Sequence, residues 1–555
     1  MSRTVYINGK VHTMDSDSTV VESFAVENGK FAWVGSNADG IALSKQGWEL
    51  HDLSNAPVYP SFIDAHLHMR VASDTLIGVD LSACETRESY KAVIKEYLSK
   101  NPNITCVTGF GWRDRNFDKN GPPKEDLDEI SNEIPMVLKA DSGHGIWVNS
   151  KALEIAGINK DTKDDGTGVI MRNTDGEPSG AMFEDSMYLV TSVFPDYSTE
   201  QYKNAFIQML ENARQLGITG CFDAWLDPGT NSVAALRELA QEDDFIGYIR
   251  GAYALYPYKP LEEQLAAFCK DREINHIGDK FQMRSIKLFL DGVIESRTGY
   301  LLEPYSDNDA SNPDFVGVPN WEQDALNEAM VGIFKNGFQV QIHCIGDAAV
   351  RQAVTAFEYA KQKGFSGERK VIIHIELIQE EDLNKFNELD IIPVLNPHWA
   401  QIDDFYFIKQ GFIGQERVDS SWPINSLIKR GLLCGAGSDY PVTTIPNCFV
   451  GIEHGVTRTA SKYFHPWVSD FASGKYSFSL GSEDEKAPVG EMLRMFTYGA
   501  AYSMFLEEFA GSIEVGKNAD FIITDQDIFT VAQDEISGTK VNATYFNGKC
   551  VYQRT

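Results

Sequence analysis

Cationic side chains are scarce. The 555-residue chain carries 49 Lys and Arg against 80 Asp and Glu, a formal charge of −31. A surface this acidic repels phosphate backbones and anionic lipid headgroups. It excludes nucleic acid and membrane as main partners and leaves a small molecule as the expected one, with homo-oligomer formation open. Long apolar runs are missing too. No stretch approaches the roughly 18 apolar residues of a membrane span, and the opening MSRTVYINGK has no apolar core of a secretory leader. Cysteine is sparse: eight residues with no CxxC pair, of which Cys221, Cys344 and Cys434 lie inside apolar runs. That pattern suits reduced, buried thiols and a cytoplasmic location better than a disulfide framework. What remains is an ordinary globular composition, 43% hydrophobic and 23% charged. Its length calls for one large domain with insertions or for two domains.

Both ends read as β structure. TVYINGKVHTMDSDSTVVESFAVENGKFAWVGS alternates apolar and polar residues around Asn8-Gly9 and Asn28-Gly29, which predicts hairpins at both pairs. GSIEVGKNADFIITD and VNATYFNGKCVYQ, with Asn547-Gly548 between apolar stretches, have the same character. Residues 1–57 and 506–555 are therefore expected to form one small β-sandwich domain. Between them run eight short apolar segments in order: VYPSFIDAHLH, GITGCFDAW, IGYIRGAYAL, SIKLFLDG, FQVQIHCIGDA, KVIIHIEL, DIIPVLNPHW and LLCGAGSDYPV. Most are followed by a helical pattern such as WEQDALNEAMVGIFKNG. Continuous apolar runs suit parallel strands buried on both faces, and eight β-then-α units predict an α/β fold, a (β/α)₈ barrel over 58–505. The long gap at about 71–205 is read as an insertion after the first barrel strand, covering the barrel mouth.

Barrels of this kind place their chemistry at the C-terminal ends of the strands. Histidine is rare here, 11 in all, yet His66 and His68 close the first run, His343 the fifth and His374 the sixth, with Asp439 at the eighth. Residues i and i+2 of a strand share a face, so an HxH pair can grip one ion. Each of these residues alone has an ordinary explanation: a coincidental HxH, a hydrogen-bonded core histidine, an Asp that caps a turn before Pro. Their joint placement points to a metal site. Imidazoles with a carboxylate suit Zn²⁺, with Fe²⁺ or Mn²⁺ as alternatives. A metal with an open position acidifies water and polarises a carbonyl, and Asp439 is then placed as general base. Cys344 should point away from His343, and Glu376 is expected behind the ligands.

The order HxH, Lys, His, His, Asp on strands one, four, five, six and eight resembles the amidohydrolase superfamily, and within it the amidohydrolase-3, YtcJ-like branch that includes N-substituted formamide deformylase. The residues that carry the resemblance are YPSFIDAHLH, DSGHGIWVNSKAL, SIKLFLDGVIESRTGYLLEPY, QIHCIGDAAV, GSDYPV and GSIEVGKNADFIITD. In one departure, Ile373 stands where the family usually has Glu. The resemblance implies hydrolysis of a C–N bond, amide or formamide-like, in a small molecule. Deamination of a cyclic amidine is the second reading, and a non-catalytic metal-binding regulator the third. It also implies a role for Lys287, either carboxylated and bridging two ions or a free amine that pairs with Asp291 or touches substrate. His144, Glu295, Arg297 and His398 are the candidate substrate-binding residues.

Overall fold

The structure is a computed structural model that describes residues 3–113, 116–117, 121–141, 143, 145–164, 168–308, 310, 312–464 and 474–555. It divides into two compact units, Met1–His68 with Gln208–Thr555, and Met69–Ile207. No helix among the described residues is long and apolar enough to cross a membrane.

Eight parallel strands dominate the first unit: β1 (Phe62–Leu67), β2 (Ile218–Leu226), β3 (Tyr248–Ala254), β4 (Phe281–Phe289), β5 (Gln339–Cys344), β6 (Lys370–His374), β7 (Ile391–Leu395) and β8 (Gly435–Ala436). Each pairs with its predecessor in chain order. β1 is buried at every position, Asp64 and His66 included. β8 is only two residues long, yet the ring closes just beyond it. Gly437 N donates to Leu395 O at 2.9 Å, Asp439 N to His66 O at 2.7 Å, and His68 N to Tyr440 O at 2.8 Å. Gly437 allows this approach, because a Cβ there would stand 2.5 Å from the Cβ of His66. Helices Gln323–Lys335, Asp347–Gln362 and Glu380–Leu389 separate the later strands and bury their apolar stripes. This is the (β/α)₈ barrel that the spacing of apolar runs predicted.

The chain ends form two facing sheets in the same unit. One has four strands: Lys30–Gly35, Ser23–Glu27, Arg3–Ile7 and Glu49–Asp52. The other has six: Lys549–Gln553, Val541–Phe546, Phe521–Thr524, Pro57–Pro60, Lys10–His12 and Val20–Val21. Tyr6, Phe24, Phe31, Phe521 and Tyr545 fill the space between them, with Tyr6 on Phe24 at 4.7 Å and Phe521 on Tyr545 at 4.3 Å. Asn28-Gly29 and Asn547-Gly548 make true hairpin turns, both residues of each pair having positive φ. Asn8-Gly9 does not. The strands on either side of it enter different sheets, so it is a corner of the sandwich rather than a hairpin. Asn8 N donates to the Asn37 side chain at 2.7 Å and holds that corner.

The second unit has a sheet of its own, which its reading as an insertion did not include. Its strands run Val169–Arg172, Pro178–Phe183, Gly145–Val148, Met136–Ala140, Val107–Trp112 and Val79–Asp80. Trp112, Trp147 and Tyr90 lie in its core, and Trp112 Nε1 donates to Leu138 O at 2.9 Å.

Candidate metal centre

His66, His374 and Asp439 place one donor atom each within 4.8 Å of one another, all three side chains being buried. His66 reaches this point because it lies on the inward face of β1. His374 and Asp439 reach it because the backbone turns sharply at the ends of β6 and β8, with φ of +77° and +59°. Ile375, a β-branched residue, is also left-handed at +55°. Such conformations cost on the order of 1–3 kcal/mol each and persist where surrounding structure enforces them. His68 joins the group, its Nε2 lying 3.0 Å from Asp439 Oδ1, while His66 Nε2 is 3.5 Å from the same oxygen. Although these distances are short, Asp439 Oδ1 has no properly directed hydrogen bond. Lone pairs that face a common point without bonding one another are what a cation requires, so the residues present fit a metal ion.

Each ring is oriented from behind. His66 Nδ1 meets Gln341 Oε1 at 2.9 Å, His374 Nδ1 meets Asn396 Oδ1 at 2.6 Å, and His343 Nδ1 meets Asp291 Oδ1 at 3.2 Å. In each case the Nδ1–H donates and Nε2 carries the lone pair that can bind a metal, the one on His66 being met by Lys287 Nζ. The His343 and His374 rings meet edge to face at 4.5 Å. Asp291 also accepts from the backbone N–H groups of Tyr300 (3.0 Å), Ile345 (3.0 Å) and Gly346 (2.8 Å). Asp64 binds the seam: it accepts from Ser438 N at 2.9 Å, Ser438 Oγ at 2.5 Å and His66 N at 3.2 Å. Burial pushes its carboxyl up to about 6.

Burial, and after it Lys287, holds His66 well below the usual imidazole range. Burial and then His343 do the same to His374. Both are neutral, as metal ligands must be. Burial alone would raise Asp439, but His68, His66 and His374 together keep its carboxyl far below the carboxylate range, so it is an anion. Lys287 is fully buried, with Nζ 3.4 Å from His66 Nε2 and 4.6 Å from the centre of the Phe289 ring. Burial pulls its ammonium down to about 7. The expectation that a free Lys287 pairs with Asp291 is not met. Asp291 is taken up by His343 and three backbone donors, and the nearby carboxylates that act on Lys287 are Asp439 and Asp223.

Three aromatic rings border the cluster. Trp225 stands edge-on to His68 at 6.3 Å, Phe289 lies 5.3 Å from His343, and Trp399 stacks on His374 at 5.7 Å with the planes 3° apart. Cys344 points away, its Sγ lying 3.6 Å from Ala349 O. Glu376, two residues past His374, pairs with buried Lys409 at 2.5 Å.

The candidate substrate residues fare unevenly. His144 lies outside the described residues. Glu295 sits on the turn Ile294–Ser296 after β4 with its Oε2 buried. Arg297 pairs with Asp307 and donates to Asn308 at 2.7 Å, amid the rings of Tyr305, Phe315 and Phe412. His398 follows β7 and is 2% exposed; its Nε2 donates to Asn447 O at 2.9 Å and its ring meets Phe496 edge-on. Sequence reasoning did not single out Gln341, Asn396 or Asp64. Gln341 shares the inward face of β5 with His343 at i+2, a signal that was present. Asn396 has no local signal at all.

The sequence pattern of the amidohydrolase family matches residues 49–552. The chain is 26% identical to the putative amidohydrolase YtcJ of Bacillus subtilis over the full length of both. It is 23% identical to an N-substituted formamide deformylase of Arthrobacter pascens, covering 100% of this chain and 99% of that one. A crystal structure of an uncharacterized metal-dependent hydrolase from Pyrococcus furiosus superposes with a TM-score of 0.73 at 24% identity, over 95% of this chain and 99% of the other.

Proposed function

The chain belongs to the amidohydrolase family, and from that premise we propose that it hydrolyses a C–N bond of amide or formamide type in a small molecule. One observation carries the reading: donor atoms of His66, His374 and Asp439 lie within 4.8 Å, and Asp439 Oδ1 is buried without a directed hydrogen bond. The ligand set is His66, His68, His343, His374 and Asp439, with Lys287 beside it. A divalent transition metal, Zn²⁺ by the donor types, supplies acidified water and a polarised carbonyl when bound.

The chain's own part is proton handling and placement. Asp439, held as an anion, takes the proton of the attacking water as the water oxygen bonds to the carbonyl carbon. It returns that proton to the nitrogen as the C–N bond breaks, so that acid and amine leave and the carboxylate is restored. Gln341, Asn396 and Asp291 hold the rings in one tautomer and one orientation through the cycle. Trp225, Phe289 and Trp399 keep bulk water from the reacting atoms.

The test combines metal analysis with a panel of N-substituted formamides and N-acyl amines, scoring carboxylic acid against ammonia. At least one transition-metal ion per chain and acid release are expected. A His66→Ala/His68→Ala double variant should lose the metal. Full occupancy in that variant would remove the site, and a metal-loaded protein inert on the whole panel would remove the reaction.

A further inference from the structure

The loop after β7 carries a side chain that the metal centre does not use. Gln401 is 2% exposed, and neither its Oε1 nor its Nε2 hydrogen-bonds to any group among the described residues. A carboxamide offers two donors and an acceptor, and burying all of them unpaired forfeits their hydration without return. Native proteins keep such groups where something else completes them. The loop is firmly built. Gln401 N donates to Trp399 O at 2.8 Å, Trp399 Nε1 to Thr443 Oγ1 at 2.9 Å, and Asp403 caps helix Asp404–Ile413 by accepting from Tyr406 N at 2.8 Å. Its backbone is tied to a residue that borders the metal centre. Trp399, two residues before Gln401, is the ring that stacks on His374.

A second orphan lies in the same neighbourhood. Helix Asp404–Ile413 packs against the turn Ile294–Ser296, where Glu295 Oε2 is buried with no hydrogen-bond partner. Glu295 is near enough to Asp403, Glu376 and the buried Lys409 ammonium to act on all three, yet its Oε2 accepts no hydrogen bond from Lys409. A carboxylate only accepts, so its missing partner is a donor. The carboxamide of Gln401 supplies both a donor and an acceptor.

Building on the amide-hydrolase reading, we propose that Gln401, with Glu295 as its companion, binds the substrate and selects scissile groups that carry an N–H beside the carbonyl: secondary amides, in preference to tertiary amides and esters. A secondary amide presents an acceptor for the Gln401 donors and a donor for one of the two unpaired acceptor oxygens, Gln401 Oε1 or Glu295 Oε2. A tertiary amide or an ester has no N–H and leaves that acceptor oxygen buried and unpaired, which is how sites built for a hydrogen bond reject analogues without it.

The experiment measures kcat/KM of the metal-loaded enzyme for N-propylformamide, N-methyl-N-propylformamide and propyl formate, in the wild type, Gln401→Met, Gln401→Glu and Glu295→Gln. Met matches the length of Gln without its polar atoms, Glu keeps the shape but loses the donors, and melting temperatures report the fold of each variant. The wild type should favour the secondary formamide over the tertiary at least tenfold. Gln401→Met and Gln401→Glu should lower kcat/KM on the secondary formamide about tenfold or more and bring the secondary-to-tertiary ratio towards one. Glu295→Gln, at a partly exposed position, should reduce the same ratio and decides the matter if the Gln401 variants do not fold. Turnover of formamides with a ratio unchanged in the folded variants would overturn this assignment alone. A wild type inert on all three compounds would overturn the amide-hydrolase reading and this inference with it.

Discussion

Lys287→Met should make the metal-free protein more stable. In the fold, burial holds the Lys287 ammonium at about 7 against an ordinary 10.5. The unfolded chain therefore binds a proton that the folded chain gives up across that interval, so stability rises with pH from about 7 to 10.5 and the penalty is fully present below 7. A gap of 3.5 pH units corresponds to at most about 5 kcal/mol, at 1.36 kcal/mol per unit. Met fills a similar volume and removes the amine, so the variant gains up to that amount at pH 7 and nothing from this source above about pH 10.5. With about 2 cal/mol/K of unfolding entropy per residue, a cooperative unit the size of Met1–His68 with Gln208–Thr555 moves its midpoint by about 5–6 °C for such a change. The assay is calorimetry of chelator-treated wild type and Lys287→Met at pH 7 and pH 10, both without bicarbonate. A melting gap that is absent at pH 7, or one that fails to narrow at pH 10, would refute the claim that Lys287 is a strained free amine in the metal-free fold. Adding bicarbonate and excess metal should reverse the ranking in favour of the wild type, because the same neutral amine is the form that takes up CO₂.

Three further expectations follow from particular contacts. Asp439→Asn should lower kcat by at least about 10²-fold with little change in melting temperature, since Asn accepts a left-handed backbone and keeps the main-chain bond to His66 O; near-normal turnover would remove this residue from the mechanism. His12 is buried between Tyr59 and Phe529, and burial lowers it to about 4 from 6.5. It is neutral when folded and protonates on unfolding below about 6.5, so stability should fall by at most about 3 kcal/mol between pH 6.5 and 4. Urea titrations of the wild type and His12→Gln should diverge over that range, and parallel curves would contradict the assignment. Ending the chain at residue 510 removes three strands of the six-stranded sheet and bares the edge of Pro57–Pro60; aggregation is expected by light scattering, and a soluble, active product would speak against the shared sandwich.

The barrel was legible because strands buried on both faces are largely apolar along their length and because the two His of HxH on a strand share one face. His66, His68, His343, His374 and Asp439 converge for the same reason: each stands at the C-terminal end of a strand. The supporting residues were harder to see. Asn396 reaches His374 from the neighbouring loop, and Asp291 reaches His343 from a turn whose donors come from Tyr300, Ile345 and Gly346. Such contacts are made across strands and leave no period in the sequence. Asn8-Gly9 misled for the opposite reason. The local signal for a turn was correct, but which sheet each flanking strand joins is decided by distant partners, Pro57–Pro60 and Ser23–Glu27.

The seam between β1 and Asp439 also bears on how the protein is made. Asp439 N bonds to His66 O, and Asp64 accepts from Ser438, across a separation of more than 370 residues. A ribosome adding about 5–20 residues per second needs roughly 20–75 s to travel that distance. Throughout that time His66 and His68 are made but Ser438 and Asp439 are not, and Pro57–Pro60 similarly waits for Phe521–Thr524. The nascent chain therefore holds its first ligands on an unclosed sheet until residue 439 is added, and a metal captured before then would meet imidazoles without the Asp439 carboxylate rather than a finished cage.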